Sequence, residues 1–328
     1  MFEASKPFIS MLYSTNLTTL LTPKERWVPR DPSTFQLKRA IYDYCILTLG
    51  SQEIKAKLPD EEHVRSLLFY GPEGSGKTLM VHAIASEIGA LFINLSSSAV
   101  GNSFGGKEGA TKLIHMAFTV AKEKSYGPVV IYLDDCHEFF MGKSKKGGSD
   151  AKANMQRFQK DLLVYKNQAL QNDDRVLVLG CTNRPELADV KLMRWKGPSG
   201  KPEKQGFFER SLYFPRANHS DRSMLWRQCI QKKFSTHQTM PRLDYDALAL
   251  LSDGYSAGEI TYIVESVLTV DRLKTLSSDP PTERDFTCYL SDQRKPNDFL
   301  NFTRQITELD TRWKALKAPQ KAADSKKK

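Results

Sequence analysis

The segment that most constrains the fold is residues 71–78, which read Gly-Pro-Glu-Gly-Ser-Gly-Lys-Thr. Three glycines fall within six residues, between an apolar run at 67–70 and a stretch with helical spacing at 78–88. Glycines in such a turn let successive backbone N–H groups point toward one centre, and the N-terminus of the helix that follows adds partial positive charge. This order of strand, glycine-rich turn and helix is typical of a phosphate-binding loop and predicts a nucleotide-binding α/β fold.

The loop supplies the first predicted contacts to a nucleotide. Lys77 is expected to reach the β- and γ-phosphates, and the hydroxyl of Thr78 is a suitable ligand for Mg²⁺. The residues predicted to bind the nucleotide here are Gly71, Pro72, Glu73, Gly74, Ser75, Gly76, Lys77, Thr78 and Leu79. The alternative is a glycine-rich turn that binds no ligand.

Strand-like and helix-like segments alternate on both sides of this loop. Short apolar runs predict strands at 65–70, 91–95, 129–133, 176–180 and 212–214. Helical spacing of apolar residues predicts helices at 34–49, 78–88, 110–123 and about 153–167. Because the strands are apolar on both faces, this alternation predicts a doubly wound α/β core around a parallel sheet.

The pattern changes after Pro215, where no further strand-like run follows. Helical spacing there predicts helices at about 220–233, 245–252, 257–276, 282–292 and 297–316. We therefore predict an irregular N-terminal segment (1–33), an α/β nucleotide-binding core (34–216), a small all-helical lid (217–316) and a basic disordered tail (317–328).

The charge of the chain is unevenly distributed. The formal net charge is +10, and basic residues outnumber acidic ones in three segments, 143–152, 191–204 and 312–328, whereas the rest of the chain is slightly acidic. These segments are rich in Gly, Pro, Ser or Ala and predict mobile loops and a tail. They could attract an acidic partner such as a tubulin surface, or serve solubility alone. Basic residues interleaved with aromatics, as in a nucleic-acid groove, are not found, so nucleic acid is an improbable partner.

Composition also limits where such a chain is expected to act. No apolar run reaches the roughly 18 residues of a membrane span, and residues 1–6 lack a signal-peptide core. The five cysteines are widely spaced and fit no zinc or redox motif: Cys45, Cys136, Cys181, Cys229 and Cys288. We therefore expect free, buried thiols in a reducing compartment such as the cytoplasm.

Two carboxylates follow the buried run at 129–133. Asp134 is expected to hold Mg²⁺ opposite Thr78, because oxygen ligands suit this ion. In most nucleotide-hydrolysing folds of this kind, the residue after this aspartate polarises the attacking water and is Glu. Here that residue is Asp135, whose side chain is one methylene shorter than that of Glu. A carboxylate placed about 1 Å short can lower a rate by about 100-fold. Asp135 could instead act only as a cap for the turn, and Glu138 is a weaker candidate base.

The run at 176–180 continues into Cys181-Thr182-Asn183-Arg184-Pro185. A buried strand would thereby deliver Asn183 to the same edge of the sheet as Asp134. Its amide could orient the attacking water or the γ-phosphate. Thr-Asn-Arg-Pro alone is a common turn. Its position about fifty residues after Asp134, on the next predicted strand, makes it a specific indication of a nucleotide-hydrolysing site.

The phosphate loop, the acidic strand end, Thr-Asn-Arg-Pro and the helical C-terminal part together resemble an AAA-family ATPase module, over about residues 34–316. The resemblance implies a five-stranded parallel sheet in the order 5-1-4-3-2, nucleotide bound between core and lid, and often ring assembly. The stretch 254–259, Gly-Tyr-Ser-Ala-Gly-Glu, is similar to a family motif that opens a lid helix. This similarity puts Gly258 near the ribose and implies no second sensor arginine.

Two other family features are altered in this chain. Family members supply arginine fingers in trans from a Gly-Arg-Phe-Asp-Arg segment, whereas residues 206–210 read Gly-Phe-Phe-Glu-Arg. Phe207 replaces the first arginine and only Arg210 remains, as a finger or as the partner of Glu209 or a lid carboxylate. Residues 103–106 resemble the family's pore loop, in which Phe104 would grip a substrate or be a partly buried loop aromatic.

A closer resemblance is carried by residues 39–47 (Arg-Ala-Ile-Tyr-Asp-Tyr-Cys-Ile-Leu), 81–85 (Val-His-Ala-Ile-Ala) and 92–98 (Phe-Ile-Asn-Leu-Ser-Ser-Ser). They look like the IQ-motif and AAA-domain-containing family, which supplies the AAA subunit of the nexin–dynein regulatory complex of cilia and flagella. The resemblance implies other subunits of that complex as partners and an axonemal location. The chain shows no convincing IQ pattern, so calmodulin binding is not carried over.

These features predict an ATP-binding AAA module with a structural or regulatory role and with slow or absent hydrolysis. The first alternative is an active ring-forming ATPase that threads or remodels proteins. A weaker alternative is a DNA-associated, clamp-loader-like ATPase, which is motivated by the positive charge alone.

Overall fold

The computed structural model describes 13 stretches of the chain. They are residues 31–58, 63–96, 109–123, 127–140, 158–159, 161–166, 170, 174–187, 194–195, 204–205, 207–234, 242–274 and 280–292. Residues 1–30 of the predicted irregular segment (1–33), the helix predicted at 297–316 and the basic tail lie outside these residues, so the predicted domain boundaries stay predictions.

Five parallel strands form the central sheet. They are β1 (Ser66–Tyr70), β2 (Leu91–Asn94), β3 (Val129–Leu133), β4 (Val176–Thr182) and β5 (Arg210–Tyr213). Their order is β2-β3-β4-β1-β5, and every neighbouring pair is parallel. The predicted order and the doubly wound class are therefore confirmed. Strands β1, β3 and β4 are buried throughout, which explains their continuous apolar sequence.

Helices cover both faces of this sheet. They are α1 (Thr34–Ile41), α2 (Leu47–Gly50), α3 (Gln52–Lys57), α4 (Lys77–Ile88) and α5 (Gly109–Lys122). A π-helical turn, Tyr42–Ile46, joins α1 to α2, so the helix predicted at 34–49 is present with one widened turn. Ser33 begins α1 with a capping box to Gln36. Helix α3 was not predicted.

The apolar residues of the core divide into one cluster on each face of the sheet. One cluster lies under α1 and α4 and includes Ile41, Val81 and Ile84. The other lies under α5 and includes Phe118 and Phe140. Both clusters take alternate residues of β3, since successive side chains of a strand point to opposite faces.

The lid consists of helices packed around a third apolar cluster. They are α6 (His219–Lys233), α7 (Tyr245–Leu251), α8 (Ala257–Val267), α9 (Val270–Lys274) and α10 (Glu283–Asp292). Trp226 and Phe286 meet edge-to-face at its centre, and the indole N–H of Trp226 donates to Ser252 Oγ at 3.0 Å. The prediction of one helix at 257–276 was wrong: Leu268 leaves helical geometry (φ −94°, ψ 65°) with its side chain buried, and α9 begins after Thr269.

Two further features were not predicted from the sequence. Arg194–Trp195, within the segment 191–204 that is predicted as a mobile loop, pairs with Lys204–Gln205 as a short antiparallel ribbon. None of the five cysteines, all of which are described, forms a disulfide. Cys45, Cys136 and Cys181 are buried as expected, but Cys229 is partly buried and Cys288 is exposed. Among the described residues, no helix is both long enough and apolar enough to span a membrane.

Candidate nucleotide-binding site

The glycine-rich loop leaves the carboxyl end of β1 and enters α4. A Cβ at position 71 would lie 2.2 Å from the carbonyl oxygen of Phe214, so only glycine fits there. Gly74 and Gly76 have positive φ angles of 72° and 88°, which other residues rarely adopt. The predicted glycine spacing therefore meets specific steric and backbone requirements of this turn.

The Lys77 side chain folds into the loop. Its ammonium group donates to the carbonyl oxygens of Gly71 (3.0 Å) and Pro72 (2.7 Å) and to Ser75 Oγ (3.3 Å). Burial lowers the pKa of Lys77, and the nearby Asp134 carboxylate opposes this effect. The loop therefore surrounds a buried cation, which suits the binding of an anionic phosphate.

Thr78 and Asp134 come from adjacent elements at the same edge of the sheet. Thr78 is exposed on the first turn of α4, and its Oγ1 accepts a hydrogen bond from the Tyr132 hydroxyl at 3.2 Å. Asp134 directly follows β3 and accepts the backbone N–H of Asp135 at 3.1 Å. A hydroxyl and a carboxylate fit Mg²⁺, which takes few protein ligands and keeps phosphate and water oxygens. No group of three or more His, Cys, Asp or Glu that could hold a metal occurs among the described residues.

Asp135 has a backbone conformation that is unusual for its type. Its φ is 44°, and it is the single non-glycine residue with a positive φ in the described part of the chain. Aspartate tolerates this region better than most residues. Burial, followed by repulsion from Asp134, raises the pKa of the Asp135 carboxyl. The carboxylate is half-exposed and so is accessible to a water molecule.

Sequence reasoning missed a buried histidine beside these carboxylates. The Nδ1 atom of His137 lies 3.1 Å from Thr182 Oγ1 and 3.9 Å from Asp135 Oδ1. Burial lowers the pKa of His137, so the ring is neutral near pH 7. The proximity of the two strand ends was the one available signal, since no local motif marks this histidine.

Asn183 follows β4, as predicted. Its Oδ1 atom is buried and has no hydrogen-bond partner among the described residues. An unpaired buried amide oxygen costs about 1–3 kcal/mol, so a donor supplied by a ligand or its water would satisfy this atom. The unpaired oxygen therefore fits a polar ligand beside Lys77 and Asp134.

The lid contacts the phosphate loop directly. The backbone N–H of Gly258 donates to the Gly74 carbonyl at 3.0 Å. Ser256 begins α8 with a capping box to Glu259, and a Cβ on Gly74 would lie 2.4 Å from Ser256 Oγ. Gly258 is thus at the phosphate loop, and its contact with a ribose stays a prediction.

A comparison with known protein families supports this interpretation of the site. Residues 67–197 match the model of the "ATPase family associated with various cellular activities (AAA)". The chain carries an AAA domain. The AAA resemblance inferred from the sequence motifs is therefore confirmed, and the match spans the phosphate loop, Asp134 and Asn183.

Sequence relatives of the AAA domain include two longer proteins. Dynein regulatory complex protein 11 of Mus musculus is 30% identical over 261 residues, which cover 78% of this chain and 28% of that protein. Spastin of Sus scrofa is 29% identical over 229 residues, which cover 70% of this chain and 33% of that protein. The chain thus spans about a third or less of the length of these relatives.

Solved AAA structures share the fold. The FIGL-1 AAA domain in complex with ADP superposes with a TM-score of 0.62 at 21% identity, covering 85% of this chain and 88% of that one. A second structure of the same FIGL-1 domain gives a TM-score of 0.60 at 20% identity. At these identities, the likeness establishes the fold alone.

The segment predicted to correspond to the family's arginine fingers is built into the core of this chain. Phe207, which is predicted to replace the first arginine, is fully buried and packs on Phe140 with ring centroids 5.1 Å apart. Arg210 lies within β5 in register with Leu67, and its guanidinium is 5.9 Å from the ring centroid of Tyr44. A finger role for Arg210 stays a prediction.

Glu209, which lies between Phe207 and Arg210 in the sequence, pairs with two cations. Its carboxylate lies 3.0 Å from Lys166 Nζ and 3.3 Å from Arg65 Nε, and it accepts the Arg65 backbone N–H at 2.7 Å. Lys166 is 2% exposed and also donates to the Phe207 carbonyl. This network fixes the segment in the core of the domain. The predicted pore residue Phe104 lies outside the described residues.

Proposed function

We propose that this AAA domain binds Mg-ATP, or ADP, between its α/β core and helical lid and hydrolyses ATP slowly or not at all. In this proposal, it serves as a structural or regulatory subunit of the axonemal nexin–dynein regulatory complex. The observation that carries the binding proposal is the convergence of Lys77, Thr78, Asp134 and the unpaired Oδ1 of Asn183 at one edge of the sheet.

The proposed roles follow from the chemistry of each group. Lys77 exchanges loop carbonyls for β- and γ-phosphate oxygens, and the loop N–H groups complete the anion site. Thr78 and Asp134 hold Mg²⁺, which when bound neutralises charge on the phosphates. Asn183 donates its amide N–H to the γ-phosphate and accepts from an ordered water. Leu79, which is 75% exposed, and Gly258 lie against the nucleoside.

Slow hydrolysis is supported by two substitutions in the catalytic machinery. Asp135 is one methylene shorter than the usual Glu and has the left-handed backbone described above. Phe207 is buried where a neighbouring subunit would need an arginine, and losing a finger can lower turnover by about 10³-fold or more. Nucleotide would then act as a structural ligand that stabilises the contact of core and lid by mass action.

The cellular role is proposed from similarity. The mouse relative is a dynein regulatory complex protein, which supports a cilium or flagellum axoneme location and other subunits of that complex as partners. The basic segments at 143–152, 191–204 and 312–328 could contact acidic tubulin or partner chains. Calmodulin binding has no support in this chain.

A second candidate is an active ring ATPase that remodels or threads proteins. It is favoured by the Asp135 carboxylate, which is half-exposed and 3.9 Å from His137, so a group able to polarise water is retained. This candidate predicts that ATP promotes oligomers.

Turnover of ATP across a series of protein concentrations separates the two candidates. Bound nucleotide is quantified in the same samples, and Lys77→Ala serves as the blank. Bound nucleotide with turnover no faster than the blank supports the structural subunit. Turnover per subunit that climbs steeply with concentration supports the ring ATPase, and absence of bound nucleotide contradicts both.

A further inference from the structure

The Tyr132 ring fits between strand β2 and helix α4. Tyr132 lies in β3, is 3% exposed, and pairs with Leu179 of β4. Its ring centroid lies 5.7 Å from that of Phe92 on β2 and 6.2 Å from that of His82 on α4. These contacts fix the direction in which the phenol points.

The hydroxyl of this ring reaches the phosphate loop. Thr78 and His82 are four residues apart, so they lie on the same face of α4. The ring runs along this face from His82, and its hydroxyl donates to Thr78 Oγ1 at 3.2 Å.

This contact limits the orientation of an otherwise exposed hydroxyl. A threonine hydroxyl has one proton and two lone pairs. Tyr132 occupies one lone pair, which leaves the second lone pair for a cation. It also disfavours rotamers of Thr78 that turn Oγ1 away from β3, where Asp134 follows two residues after Tyr132.

We propose that Tyr132 is a positioning residue: it holds the Thr78 hydroxyl in the orientation that binds Mg²⁺. This proposal rests on the proposed nucleotide function. Tyr132 does not touch the phosphates in this account. Its effect therefore depends on the metal, and removing its hydroxyl weakens metal-dependent binding of the nucleotide selectively.

The test measures ATP affinity of Tyr132→Phe with Mg²⁺ and with EDTA. The substitution keeps the ring and removes one hydrogen bond. Affinity in Mg²⁺ is expected to fall about three- to tenfold, as one hydrogen bond predicts, with less than about twofold change in EDTA. Tyr165→Phe is the matched control, because it also removes a tyrosine hydrogen bond, to His115 at 3.0 Å, away from the loop. It should alter neither affinity.

A second variant shows whether Tyr132 acts through Thr78. In a Thr78→Val background, adding Tyr132→Phe should change the Mg²⁺-dependent affinity no further. Equal losses in Mg²⁺ and EDTA, or an unchanged affinity in both, would overturn the positioning role while leaving nucleotide binding intact. A wild-type protein that binds no ATP in either buffer would overturn the proposed function itself and, with it, this inference.

Discussion

The Gly258 N–H donates to the Gly74 carbonyl across 3.0 Å, which joins the first turn of lid helix α8 to the centre of the phosphate loop. Two glycines can approach this closely because neither has a side chain: a Cβ on Gly258 would lie 3.3 Å from Gly74 Cα. A ligand that moves the loop would therefore move this contact. The position of the lid is thereby sensitive to what the loop binds.

Gly74→Ala should separate the lid from the loop. The alanine would carry a positive φ and place its Cβ 2.4 Å from Ser256 Oγ. Gly89→Ala is the matched control, since its φ is 64° with nothing within 4 Å of the added Cβ. We expect a loss of about 1–2 kcal/mol for the control and a larger loss for Gly74→Ala. Urea unfolding measures both, and equal losses would contradict a steric contact with the lid.

Lys166→Met should be strongly destabilising. The substitution removes one cation from the buried Glu209 carboxylate, and breaking such a pair typically costs about 3–5 kcal/mol, less here to the extent that Arg65 compensates. The exposed pair of Lys274 and Asp271 gives the control, because Asp271→Asn should change the free energy of unfolding by less than about 1 kcal/mol. Similar midpoints of denaturation for the two variants would show that the buried network is unimportant.

Stability should fall as the pH is lowered from about 7 to 5, partly through His137. Burial lowers the pKa of the folded-state histidine below its unfolded value of 6.5. The unfolded state then binds more protons across this range, so the free energy of unfolding decreases on acidification and is insensitive to His137 above about pH 7. His137→Asn should flatten this part of the curve of melting temperature against pH. An unchanged slope would mean that His137 titrates alike in both states.

Asp135 should show opposite effects on stability and on chemistry. Glycine adopts a φ of 44° without strain and removes repulsion from Asp134, so Asp135→Gly should raise the free energy of unfolding by about 0.5–1 kcal/mol. Asp135→Glu should lower it. Any residual turnover should be lost in the glycine variant. Calorimetry and a steady-state assay check these outcomes, and destabilisation by glycine would refute strain at this position.

Much of the fold was predictable because its determinants are local. The apolar run at 129–133 predicted β3 with its observed bounds, and the loop glycines predicted the strand–loop–helix unit. Strand β5 was placed two residues late, since Arg210 and Ser211 break its apolar pattern at a sheet edge. Contacts between residues that are distant in the sequence could not be predicted: Thr78 is 54 residues from Tyr132, and Glu209 is 144 residues from Arg65.

The most direct test of the account is an equilibrium titration of the purified protein with ATP and Mg²⁺, comparing wild type with Lys77→Ala. Lys38→Ala, an exposed lysine on α1, is the control. The account predicts saturable binding at one site, unchanged in Lys38→Ala and weakened at least about tenfold in Lys77→Ala, because Lys77 provides charge-assisted hydrogen bonds. Equal affinities for all three proteins, or no saturable binding by wild type, would contradict it.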